Sequence, residues 1–129
     1  MTTPTASDSV VLDSSGWLEY LTADSKADSF GRYLEGELSL LVPVIVLYEV
    51  RRILLVRKSK TLADIFLSEA LKRVIIPLDE MLALEAIELG ISHNLALADA
   101  IIYATAQHHG AQLVTSDAHF TNLPGVTLL

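Results

Sequence analysis

Val10-Val11-Leu12-Asp13-Ser14-Ser15-Gly16 runs from three consecutive apolar residues straight into an acid and two hydroxyls. A short apolar run without alternation fits a strand covered on both faces, and Asp-Ser-Ser fits the start of a helix. The order returns near the far end as Leu113-Val114-Thr115-Ser116-Asp117. Further strands are expected at Leu38–Val42, Val74–Ile76 and, after Pro124-Gly125, Val126–Leu129. Helical spacing fills the gaps. Trp17, Leu18 and Leu21 set a first helix, and Phe30, Tyr33 and Leu34 a second. A third starts with Pro43 in its first turn and carries Ile45, Val46, Glu49, Val50, Ile53 and Leu54. Ser59–Leu71, Asp79–Leu89 with Gly90 as its stop, and Leu95–His109 with Gly110 as its stop complete the set. Strands alternating with helices predict an α/β chain with a parallel sheet, whose sites form beyond the carboxyl ends of the strands.

At 129 residues and 51% hydrophobic, the chain is expected to form one domain over residues 8–129, with residues 1–7 a flexible polar tail. It has no cysteine, which excludes thiol nucleophiles, zinc–thiolate sites and disulfides. With no signal core and no apolar run of about 18 residues, the expectation is a cytoplasmic protein without a membrane partner. The net charge is −7, yet seven of the nine basic residues lie between Arg51 and Arg73. That sector holds only Asp64 and Glu69 as acids, so it balances at +5 against −12 for the remainder. It is either a set of solvated helix faces or a grip for a phosphate backbone, with Arg51 and Arg52 the leading candidates.

Four acids border apolar segments: Asp13, Glu49, Asp99 and Asp117. Each has an ordinary alternative. Asp13 and Asp117 each suit a helix cap, and Glu49 can reach the rim or pair with Arg52. Asp99 can serve the dipole of a first helical turn, but a dipole preference is met as well on an exposed face. Asp99 instead has Leu95, Ile102 and Tyr103 as its helical neighbours, as Glu49 has Ile45, Val46 and Ile53. An unpaired carboxylate beside a core is costly, so four of them together point to a cation. An all-oxygen cage suits Mg²⁺ or Mn²⁺ and phosphate-ester chemistry.

The ordered set Val11-Leu12-Asp13-Ser14-Ser15, Leu47-Tyr48-Glu49-Val50, Leu97-Ala98-Asp99-Ala100-Ile101-Ile102 and Thr115-Ser116-Asp117-Ala118-His119-Phe120 resembles a PIN domain. It resembles in particular the VapC-type toxins of toxin–antitoxin pairs. The resemblance implies a three-layer α/β/α fold around a mainly parallel sheet of four to five strands. It also implies an endoribonuclease dependent on Mg²⁺ or Mn²⁺ that leaves 5′-phosphate and 3′-hydroxyl ends. Asp13, Glu49, Asp99 and Asp117 then correspond to the acidic cluster, with Asp13 and Asp99 the most direct metal ligands. Thr115, and Ser14 beside Asp13, would support the site, and either Glu49 or Asp117 would orient the attacking water. Many members carry an acid where this chain has His119, so an extra ligand is either missing here or replaced by a group that titrates near neutral pH. The favoured reading is a polar rim residue that supports Phe120. The implied partners are an RNA substrate, a small antitoxin and a second copy of the chain. Docking faces are expected near Trp17, Leu18 and Leu21 and along Ser59–Leu71.

Two other readings stand beside this one. A silent PIN-like binding module would use its acids only as caps. A different phosphoesterase on an α/β sheet, with an aspartyl nucleophile, would want an acid two residues past Asp13 and a later lysine. Ser15 stands at the first position, and no lysine follows Lys72.

Overall fold

The computed structural model describes residues 8–129, and the tail expected at 1–7 lies outside them. The chain forms β1 (Ser9–Leu12), α1 (Ser14–Leu21), α2 (Ala27–Leu34), β2 (Ser39–Pro43), α3 (Val44–Arg57) and α4 (Lys60–Leu71). It continues with β3 (Val74–Ile76), α5 (Glu80–His93), α6 (Leu97–His108), β4 (Gln112–Thr115), a 3-10 turn (Ala118–Phe120) and β5 (Val126–Leu128). The five strands form one sheet in the order β3-β2-β1-β4-β5, and every neighbouring pair is parallel.

Burial explains why the apolar runs became strands. Side chains alternate between the faces of a sheet, so three consecutive buried residues require cover on both. Val10, Val11 and Leu12 are all fully buried, and Leu113, Val114 and Thr115 repeat the pattern. The helices therefore flank the sheet on both sides. Trp17 of α1 meets Phe66 of α4 edge-to-face at 5.1 Å, and α6 is buried continuously from Ala100 to Ala106. The face expected to dock a partner through Trp17 is instead core, since Trp17 is 1% exposed.

Three boundaries differ from the sequence reading. Pro43 ends β2 and precedes α3, with extended backbone at ψ 139°. α6 starts at Leu97, with Ala96 as its cap residue. α5 passes through Gly90 and stops at Asn94, which adopts the left-handed conformation at φ 56°. Gly90 serves packing: a Cβ there would lie 3.1 Å from the Cβ of Ala100 on α6.

Candidate metal centre

The chain builds the sheet outward from β1 through β2 to β3, then crosses back to place β4 on the other side of β1. The gap between β1 and β4 is thus the point where strand order reverses, and ligand sites of open α/β sheets form beyond it. In register, Leu12 faces Val114, which sets Asp13 beside Thr115 just past the strand ends. The Thr115 hydroxyl donates to Asp13 Oδ2 at 2.6 Å. Ser15 Oγ donates to the same carboxylate at 2.8 Å, and the Gly16 amide at 3.0 Å. Asp13 is therefore both the cap of α1 and a buried group, 3% exposed, at the switch point.

Thr115 also accepts from the Asp117 amide at 2.9 Å, so one hydroxyl ties the Asp13 carboxylate to the Asp117 backbone. Asp117 Oδ1 in turn accepts from the His119 amide at 2.9 Å and caps the 3-10 turn. The His119 ring folds back over this acid, with Nδ1 2.9 Å from Asp117 Oδ1 and 4.0 Å from Asp99 Oδ2. Asp99 arrives from the first turn of α6. Ligand atoms of Asp99, Asp117 and His119 all lie within 4.8 Å of one another. Among the described residues this is the group able to hold a metal ion. Asp13 stands outside it, with its oxygens engaged by Thr115, Ser15 and Gly16.

Glu49 enters from α3, one strand further along the sheet. It accepts from Ser14 Oγ at 2.6 Å, which fixes its carboxylate against the start of α1. Its expected alternative, a pair with Arg52, is replaced by this contact. A depression lined by Tyr48, Glu49, Arg52 and Ile53 opens beside it. Arg51 turns away: Nη1 donates to the Ala63 carbonyl at 3.0 Å and pairs with Asp64 at 3.2 Å. The expectation that Arg51 grips phosphates therefore gives way to a role in joining α3 to α4. Lys60 and Lys72 have carboxylate partners, and Arg73 binds the Leu34 carbonyl. Among the described residues, Arg52, Arg57 and Lys58 have no carboxylate partner.

Residues 10–126 match the family model described as the PIN domain. The chain belongs to the PIN-domain family. No curated protein matches its sequence significantly. Solved structures give the fold independently. A toxin–antitoxin complex from Klebsiella pneumoniae aligns with a TM-score of 0.77 at 24% identity, over 92% of this chain and 95% of the other. VapBC2 from Rickettsia felis, bound to a DNA fragment from its promoter, gives 0.72 at 22% identity over 94% and 97%. Mycobacterium tuberculosis VapC20, a toxin that cleaves the sarcin–ricin loop, gives 0.68 at 19% identity over 87% and 92%. At these identities the structures establish the fold this PIN domain shares with them.

The electrostatics of this PIN-domain site are those of crowded anions. Burial raises the Asp99 carboxyl from 3.8 to about 6, helped by the charges of Asp117, Asp13 and Glu49, while His119 opposes them. Burial likewise pushes Asp13 up, against the hydrogen bonds of Thr115, Ser15 and Gly16, and the charge of Asp117 adds to the rise. Asp99 thus feels the charge of the other three acids, and Asp13 that of Asp117. A divalent cation relieves such a cluster, and the donor set of carboxylate oxygens with one imidazole suits Mn²⁺, and Mg²⁺ through its oxygens. The residues fit the metal that the fold family implies.

Proposed function

We propose that this PIN domain is an endoribonuclease dependent on Mg²⁺ or Mn²⁺, acting as the toxin of a toxin–antitoxin pair. The observation carrying the reading is the convergence of Asp99, Asp117 and His119 within 4.8 Å, beside the buried Asp13, at the sheet's switch point. A silent module needs only caps, and caps do not require Asp99 to stand against other acids at a raised pKa.

A bound Mg²⁺ or Mn²⁺ supplies positive charge that lowers the pKa of a water nucleophile and stabilises the phosphodiester's developing negative charge. The protein supplies the arrangement. Asp99 offers oxygens from the first turn of α6, and Asp117 from the cap of the 3-10 turn just past β4. Asp13, held by three donors, completes the anionic wall and keeps Thr115 and Asp117 in place. Glu49, held by Ser14 and lining the depression with Arg52, would orient the attacking water. Arg52 and the exposed Tyr48 flank Glu49, offering a phosphate contact and a ring on which an unpaired base can stack.

Two apolar surfaces suit the protein partners. A groove of about 440 Å³ along α3, lined by Val44, Leu47, Leu55, Val56 and Leu67 and edged by Arg52, fits an acidic amphipathic segment of an antitoxin. The α5–α6 face, with Leu84, Ile87, Ile91 and Leu97 exposed, fits a second copy of the chain. Among the described residues no single helix is long and apolar enough to cross a membrane. An RNA substrate agrees with a cytoplasmic location.

The test is incubation of the purified protein with total RNA in Mg²⁺, in Mn²⁺ and in EDTA, with cleaved ends mapped. Cleavage to 5′-phosphate ends that EDTA and Asp99→Asn both abolish supports the proposal. Intact RNA under every condition refutes it.

A further inference from the structure

His119 is the member of the Asp99, Asp117 and His119 group whose role the nuclease reading leaves unassigned. It is 79% exposed, so its ring is not held by packing, yet it leans over two acids instead of extending into water. Its backbone has little freedom. Asp117 Oδ1 accepts from the His119 amide, Phe120 next door is fully buried against Tyr103, and the Thr121 hydroxyl closes the turn on the Ala118 carbonyl at 2.6 Å. Residues 117 and 119 are thereby presented as a unit toward Asp99 on α6.

We propose that His119 is a metal ligand of this centre, and that its imidazole shifts the preference from Mg²⁺ toward Mn²⁺ and the divalent transition ions that follow it in the affinity series. The inference rests on the metal-centre reading above and adds to it the ion the site selects. Mg²⁺ demands oxygen donors in near-ideal octahedral geometry and sheds water reluctantly. Imidazole nitrogen adds affinity along the series from Mn²⁺ upward, whereas carboxylate and water suit both ions. Two carboxylates alone would discriminate weakly. Adding a nitrogen within 4.8 Å of both changes the ranking of the ions without changing the architecture.

Calorimetric titration of Mn²⁺ and of Mg²⁺ into the full chain, its His119→Ala and its His119→Asp forms reads the preference directly. Pulsed electron paramagnetic resonance of bound Mn²⁺ reads ¹⁴N coupling without any turnover. The expected result is ¹⁴N coupling in the unaltered protein that both variants lose. Mn²⁺ affinity should fall on the order of 10-fold or more in His119→Ala, with Mg²⁺ affinity changed much less. His119→Asp should bind the two ions with a narrower ratio. Unchanged Mn²⁺ affinity without ¹⁴N coupling overturns the ligand assignment. So does a gain of affinity in His119→Ala, which would make the imidazole a competitor of the ion. If Asp99→Asn loses Mn²⁺ while the His119 variants keep it, only the ligand assignment fails. If the unaltered protein binds neither ion, the nuclease reading fails with it.

Discussion

Thr115 shows how much of the site depends on single atoms. Its hydroxyl donates to Asp13 and accepts from the Asp117 amide, and it is fully buried. Thr115→Val keeps the shape and removes both bonds, leaving a buried carboxylate short of a donor. That costs about 1–3 kcal/mol, read by thermal unfolding, while Thr115→Ser retains most of the stability. Asp99 gives the pH dependence. Its folded pKa, about 6, lies above the ordinary 3.8, so the folded state binds a proton the unfolded state releases. The stability this contributes is full below 3.8 and is lost as pH rises through 6. The metal-free protein should therefore melt higher at acid than at neutral pH for this group's part, and Asp99→Asn should flatten that slope. Metal runs the other way: Mn²⁺ affinity should weaken as pH falls below about 6 because protons compete for the same oxygens.

At the scale of elements, β1, β2 and β4 were readable because buried apolar runs without alternation have few other uses, while the half-exposed edge strands β3 and β5 were marked by Pro77 and by the turn at Pro124-Gly125. The acids were readable for a related reason, since a carboxylate beside branched apolar residues needs a cause. What failed was local punctuation set by tertiary contacts. Gly90 looks like a stop, but it lets α5 approach Ala100, and the stop is Asn94. Trp17 sits at helical spacing that suits either a core or a groove, and only Phe66, distant in sequence, decides it. Arg51 could not be separated from Arg52 until Asp64, on another helix, claimed it. His119 lay beside an acid in sequence, but its nearness to Asp99 needs the packing of α6 against the end of β4. Gly16 joins element to site. A Cβ there would come within 2.7 Å of Phe30 Cε1, while the Gly16 amide holds Asp13. Gly16→Ala should destabilise by about 1–3 kcal/mol and also weaken metal binding, as denaturant unfolding and titration would show.

For the whole molecule, the uneven charge organises the surface. Within the Arg51–Arg73 sector Arg51 pairs across to α4, Lys60 and Lys72 pair with acids of α4 close to them in sequence, and Arg73 binds the Leu34 carbonyl, which leaves Arg52, Arg57 and Lys58 to meet an anion. Arg52→Ala should weaken RNA binding about equally for all sequences and reduce its salt dependence, as a phosphate contact does. On the α5 face, Ile87→Glu should turn a dimer into a monomer by light scattering without changing the fold, since Ile87 is 56% exposed. Cleavage itself needs a divalent ion in the centre. Crystals soaked in Mn²⁺ and measured for anomalous scattering test that most directly. A strong peak within bonding distance of Asp99 and Asp117, gone in Asp99→Asn, is the expected result. A fully exchanged crystal with no peak there, or with its peaks only elsewhere on the surface, would contradict the account.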